Sequence, residues 1–184
     1  MLNLSVTMIM WVMAILAAPS TRNEMVLYRT QADHAAGKGE NLGEFIGYDW
    51  TMGRLKVFWY IDAKKKKTDS KEVNGYYGLT IDGRLYRIVD TKPFAMLQKG
   101  KFCYYENGFA HMNMIVENEG KAEVEDGKYC FISKDLTSPL LHIPSKEARK
   151  AFSDMPELST FFDCTDKCKS NNAEKIRVCM KAAI

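Results

Sequence analysis

The chain has little of what catalysis usually draws on. Its 184 residues include only three histidines, His34, His111 and His142, each isolated in sequence and none within a catalytic spacing. A P-loop, a glycine-rich dinucleotide turn, a His-Glu-x-x-His pair, paired metal-binding cysteine motifs and a Gly-x-Ser-x-Gly elbow are all missing. These absences leave a hydrolase or metal-dependent enzyme as the third reading of the chain. Such an enzyme would need two or more of the histidines and some acids gathered in one cleft by folding. No cofactor is implied. An excess of one charge is lacking too: 26 basic against 23 acidic residues, interspersed, leave a net charge of +3. So small a surplus gives no warrant for a nucleic-acid partner. The one run of like charge, Lys64–Lys67, has no aromatic residues between its lysines. It reads as a solvated hairpin tip, or as a sheet edge that lysines guard against pairing with another sheet.

Charge is absent altogether from the first twenty residues, where 4–18 run apolar with only Ser5 and Thr7 interrupting. This is the pattern of a secretory apolar region, and Ala18-Pro19-Ser20 offers a small-x-small cleavage site before Thr21. Residues 1–20 are therefore expected to be a signal peptide and the protein to be exported, to the periplasm, the envelope or beyond. The leader carries no Lys or Arg, and its apolar run falls slightly short of the roughly 20 residues of a spanning helix. An uncleaved anchor is the alternative, and a buried helix the third option. Membrane contact is expected only through this segment. No cysteine follows it closely, so lipid modification is not indicated.

All five cysteines (Cys103, Cys130, Cys164, Cys168, Cys179) lie in the exported part, where disulfides are permitted. The count is odd, and connectivity cannot be read from spacing. The disulfide candidates are Cys164, Cys168 and Cys179. A bridge from Cys179 to one of the other two would tie the last helix to its neighbour. The alternative, zinc held by Cys164 and Cys168 with Cys179 or His142, lacks the commoner two-residue spacing and a second pair. No metal site is expected.

The middle of the chain, 73–132, holds three turn signals: Asp82-Gly83, Asn107-Gly108 and Asp126-Gly127. Such pairs tolerate the positive φ angles of two-residue hairpin turns, so the stretch reads as an antiparallel β-meander. Pairing across Asp82-Gly83 sets Leu79 opposite Tyr86 and Ile81 opposite Arg84. Tyr77, Leu79, Ile81, Tyr86 and Ile88 then share a core face, and Gly78, Thr80, Leu85 and Arg87 the other. Pro93 interrupts, 94–97 form a short strand, and pairing across Asn107-Gly108 sets Cys103 opposite Met112 and Tyr105 opposite Ala110. Both sides of that hairpin are apolar, so it either sits between two packed layers or lines a cavity. The same register puts Met112 and Met114 together and His111 away from them, against a copper site at His111-Met112-Asn113-Met114.

Upstream, 24–29 and 55–61 read as strands, 32–36 as a helical turn begun by Thr30 or Asp33, and 47–53 as a turn around Asp49. After Ser133 strand signals stop. Ser145 caps a helix over 146–152, a second helix begins near Pro156, and a third runs from Asn172. The expected fold is α+β: an antiparallel meander, as a sheet or partly closed barrel, followed by C-terminal helices. One domain is expected over 21–184, β-rich over 21–132 and helical over 133–184.

The motifs Tyr76-Tyr77-Gly78, Gly83-Arg84-Leu85-Tyr86-Arg87-Ile88 and Gly100-Lys101-Phe102-Cys103-Tyr104-Tyr105 precede a helical tail. In this the chain resembles small uncharacterised exported proteins of Gram-negative bacteria. The resemblance implies export and transfers no functional residue. The expected function is a non-catalytic envelope or extracellular interaction or structural domain. The alternative is a binding protein for a small apolar ligand in a barrel-like cavity walled by Tyr77, Tyr86, Phe102, Tyr104 and Phe109.

Overall fold

A computed structural model of the chain describes residues 23–68, 75–116, 130–168 and 172–183. The leader and the Asp126-Gly127 turn lie outside the described residues. One sheet organises the rest. Its strands are β1 (Glu24–Tyr28), β2 (Glu40–Thr51), β3 (Arg54–Ile61), β4 (Lys64–Lys67), β5 (Gly78–Ile81), β6 (Arg84–Val89), β7 (Lys92–Lys99), β8 (Cys103–Asn107), β9 (Cys130–Ser133) and β10 (Leu141–Ile143). They pair antiparallel throughout in the order β10-β9-β8-β7-β6-β5-β1-β2-β3-β4. The sheet is open, with β10 and β4 as its edges, so the partly closed barrel is corrected to a ten-stranded α+β sheet. The four lysines of β4 line one edge, where like charge discourages sheet-to-sheet pairing.

Four two-residue turns join the hairpins, each with positive φ at both residues: Met52-Gly53, Asp62-Ala63, Asp90-Thr91 and Asp82-Gly83. Their twist matches that of the strands they join. Across Asp82-Gly83 the register is Ile81↔Arg84 and Leu79↔Tyr86, as the alternation requires. Tyr77 departs from the expected face. It lies before β5 and packs beside Leu85, Cys103 and Tyr105, while Tyr76 takes the core side. The inversion falls at Gly78, where a Cβ would stand 2.6 Å from the Tyr86 carbonyl oxygen.

Several expectations fail for identifiable reasons. The turn over 47–53 is instead the end of a twelve-residue β2 that runs through Gly43 and Gly47, with the chain reversing only at Met52-Gly53. Pro93 does not interrupt: it sits inside β7 opposite Ile88. Ile88 turns its N–H to Tyr77 O, so the β6 side asks no donor of Pro93, and pairing with β8 begins only at Phe94. Strand structure also continues past Ser133, because β10 pairs with β9.

The largest correction concerns Asn107-Gly108, which is not a hairpin. Helix α2 (Gly108–Val116) starts there, after the short α1 (Gln31–Ala35). Asn107 Oδ1 accepts from Phe109 N at 3.0 Å and so serves a helix start, the other role for which Asn is favoured. Cys103 consequently pairs with Ser133 and Tyr105 with Phe131, not with Met112 and Ala110. His111 and Met112 are buried together while Met114 is 62% exposed, which reverses the grouping expected of a strand.

The C-terminal segment forms α3 (Lys146–Ala151), a 3₁₀ turn (Pro156–Leu158), α4 (Ser159–Cys168) and α5 (Ala173–Ala183). Phe152, Phe161, Phe162, Ile176 and Met180 seal these helices over Phe102, Tyr104 and Ile132 of the β8–β9 end. Leu136 covers the other side, against Cys103 and Tyr105. Packed layers on its two sides account for the apolar residues on both faces of β8. Ser145 Oγ accepts from Ala148 N at 3.0 Å and caps α3. Ser145→Ala is expected to cost about 1 kcal/mol, measured as a lower midpoint in urea at unchanged slope.

Candidate functional site

Alternation along β8 turns Tyr104 and Glu106 towards the helices, where Glu106 becomes a buried carboxylate at 3% exposure. Its oxygens are fully engaged. Oε1 accepts from Tyr104 Oη at 2.8 Å and Arg177 Nε at 2.6 Å. Oε2 accepts from Arg177 Nη2 at 2.5 Å and His111 Nε2 at 3.3 Å. Burial pushes the Glu106 pKa up; hydrogen bonds from His111, Arg177 and Tyr104 outweigh it and hold the value at about 2, against an ordinary 4.5. Burial, and then the neighbouring Cys130 and Glu106, push the Tyr104 phenol far above its ordinary range. The phenol keeps its proton and donates a hydrogen bond to the carboxylate. The same hydroxyl lies 3.1 Å from the Cys130 Sγ, which accepts from it.

A carboxylate beside a histidine invites a catalytic reading, which the second ring nitrogen argues against. Arg84 Nη1 lies 3.2 Å from His111 Nδ1, and a guanidinium only donates. Nδ1 is therefore the acceptor and Nε2 carries the proton given to Glu106, so the ring has no lone pair left to activate a nucleophile. The cluster positions structure: Glu106 of β8 holds His111 of α2 and Arg177 of α5.

Pinned in this way, α2 displays its outer residues along β2. Phe109 stacks on Tyr48 with centroids 5.1 Å apart and sits 5.6 Å from Trp50. Tyr48 Oη donates to Asn113 Oδ1 at 2.7 Å. An open cleft of about 510 Å³ lies between this helix and the β2–β3–β4 end of the sheet, lined by Tyr48, Trp50, Phe58, Lys65, Asn113 and Val116 among others. Its aromatic walls carry cations: Lys65 Nζ stands 4.9 Å from the Phe58 centroid and Lys92 Nζ 5.9 Å from that of Trp50. Trp50 in its lining faces solvent, 40% exposed. Aromatic rings with one wet edge beside a few polar groups are what binding surfaces are made from.

No family model, curated protein or solved structure matches this chain. The site is therefore read from its geometry.

The five residues expected to wall a ligand cavity are not brought together. Tyr86 is fully buried in the main core, Phe102 and Tyr104 lie under the C-terminal helices, and Tyr77 donates from Oη to the Leu136 carbonyl at 3.0 Å. Phe109 alone adjoins the cleft, as its backing. Trp50, Phe58 and Asn113 were missed. The signal for Trp50 was a large aromatic residue in a stretch read as a turn. For Asn113 it was the Gly108, His111, Met112, Ile115 stripe, which has helical spacing.

The histidines sit in three separate settings. His34 packs edge-on to Tyr28, His111 bonds Glu106, and His142 meets the Phe131 ring. The cysteine candidates do converge: Cys164 and Cys179 form a disulfide with Cα atoms 5.5 Å apart, and Cys168 lies beside it.

Proposed function

We infer that this is an exported, non-catalytic domain of the cell envelope or extracellular space, and that it works by binding through the aromatic cleft between β2 and α2. The observation that carries this reading is the cleft itself, a solvent-open group of Tyr48, Trp50 and Phe58 held beside Lys65 and Asn113. Exposed aromatic clusters of this kind are uncommon on surfaces with no partner. An apolar group of the ligand would stack on Trp50 and Phe58, and Asn113 and Lys65 would supply the polar contacts. Export is supported by the apolar leader sequence, by the Cys164–Cys179 disulfide, which suits an oxidising compartment, and by the resemblance to small exported proteins. No helix among the described residues is long and apolar enough to cross a membrane.

The cleft can be tested with anilinonaphthalene sulfonate, whose rings suit the aromatic wall and whose sulfonate suits Lys65. Trp50→Ala and Phe58→Ala are each expected to weaken dye binding about tenfold, some 1.4 kcal/mol, with the far-ultraviolet circular dichroism unchanged. Equal binding by the wild type and both variants removes the cleft from consideration. Fractionation of the producing cells tests the other half: a cytoplasmic protein retaining Met1 to Ser20 rules out export.

A further inference from the structure

Helix α4 carries Cys164 and Cys168 four residues apart, so both face one side, one turn from each other. That side meets Cys179 of α5. Cys179 is buried and the two α4 cysteines are half-buried. Cys164 holds the disulfide, yet Cys168 Sγ is only 3.7 Å from Cys179 Sγ, and all three sulfurs lie within 4.8 Å of one another. A disulfide that only had to tie α5 to α4 would need no third thiol at contact distance.

We propose that Cys164, Cys168 and Cys179 form a thiol–disulfide exchange site in which Cys179 bridges alternately to Cys164 and to Cys168. In the forward step the Cys168 thiol gives its proton to water and the thiolate attacks Cys179 Sγ. A Cys168–Cys179 bond forms, the Cys164–Cys179 bond breaks, and its electron pair leaves on Cys164 Sγ, which takes a proton from water. Nothing is oxidised or reduced overall, and no outside reagent is consumed. Exchange of this kind wants the three sulfurs nearly in line. Their triangular arrangement means that Cys168 first rotates about its Cα–Cβ bond, which its place as the last residue of α4 allows. Both states keep α4 and α5 linked, and both leave one reactive thiol on α4 able to form a mixed disulfide with a thiol or disulfide outside the protein.

The full exported chain, purified without reductant, is incubated near pH 8.5, where an ordinary thiol is about half ionised. It is then trapped with N-ethylmaleimide and mapped by mass spectrometry. Label is expected on Cys164 as well as on Cys168, with more than about a twentieth of the chains carrying it at Cys164. The C168S variant is expected to lose the Cys164 label entirely. In C164S, oxidised glutathione is expected to close Cys168 onto Cys179 with helix content kept, as judged by circular dichroism. Label confined to Cys168 in the native chain overturns the proposal, and so does a folded C164S chain whose Cys179 stays open to alkylation. A direct reaction of glutathione with Cys168 alone would show as a mixed disulfide without the bridge, and counts with the second result.

Discussion

Glu106→Gln is expected to lower the unfolding free energy by about 3 kcal/mol at neutral pH, the largest effect of any conservative change to the polar side chains described above. The amide keeps the shape of the carboxyl group but loses its charge, and it turns a donor towards Arg177 or His111, both of which also donate. The size follows from the titration of the group. Its folded value of about 2 lies below the ordinary 4.5, so folding favours the ionised form. The sign follows from linkage: a depressed carboxyl adds stability above its unfolded value and loses it as pH falls through the folded one. The gap between wild type and E106Q in guanidinium melts should therefore be constant above about pH 5, shrink below pH 4.5 and close near pH 2. A pH-independent gap would mean that the carboxylate charge is not what holds α2 and α5.

Gly108→Ala is expected to destabilise the fold by about 2 kcal/mol, although alanine is ordinarily the better helix residue by about 1 kcal/mol. A Cβ at this position would stand 2.6 Å from the Pro93 carbonyl oxygen and 2.7 Å from its carbon. That backbone belongs to β7, which β6 and β8 hold on both sides, so it has nowhere to yield. The alternative is for α2 to move outward, taking Asn113 and Val116 from the cleft, so dye binding should weaken along with stability. Gly100→Ala is the control, because a Cβ there meets nothing within 4 Å. Its stability should stay within about 0.5 kcal/mol of wild type. A stabilised G108A would mean that glycine was not required by the close approach of α2 to Pro93.

These two residues also mark where one-dimensional patterning was ambiguous. Asn-Gly between apolar runs signals a hairpin, but Asn before an apolar run also signals a helix start. Residues 108–116 carry the helical spacing of Gly108, His111, Met112 and Ile115, but the segment is too short and too apolar for that spacing alone to decide between them. What decides is β9: the edge of β8 that a hairpin would have used is taken by Cys130–Ser133, with Cys103 opposite Ser133. Strand β2 was hidden in a different way. Gly47 opens the stretch that reads as a turn, whereas β2 runs through it and through Gly43, which at φ +94° has a place within a strand because a Cβ there would run into the Tyr60 carbonyl. Without β2, the stretch holding Tyr48 and Trp50 looked like a turn, and the cleft could not be foreseen.

Local chemistry alone was enough for much of the frame. The Asp82-Gly83 register, the Lys64–Lys67 edge, the Thr30 and Ser145 caps and the three C-terminal helices each depend on residues within a few positions of one another. Short-range sterics and hydrogen bonding act before any tertiary contact, so a sequence displays them directly. Four outcomes required folding in three dimensions: the open sheet in place of a barrel, the choice of Cys164 over Cys168 for the bridge, the burial of Glu106 between Arg177 and His111, and the aromatic cleft. Each joins side chains from segments far apart in the chain. The physical reason is that burial, desolvation and sulfur–sulfur distance are properties of neighbours in space, and no spacing along the sequence encodes them.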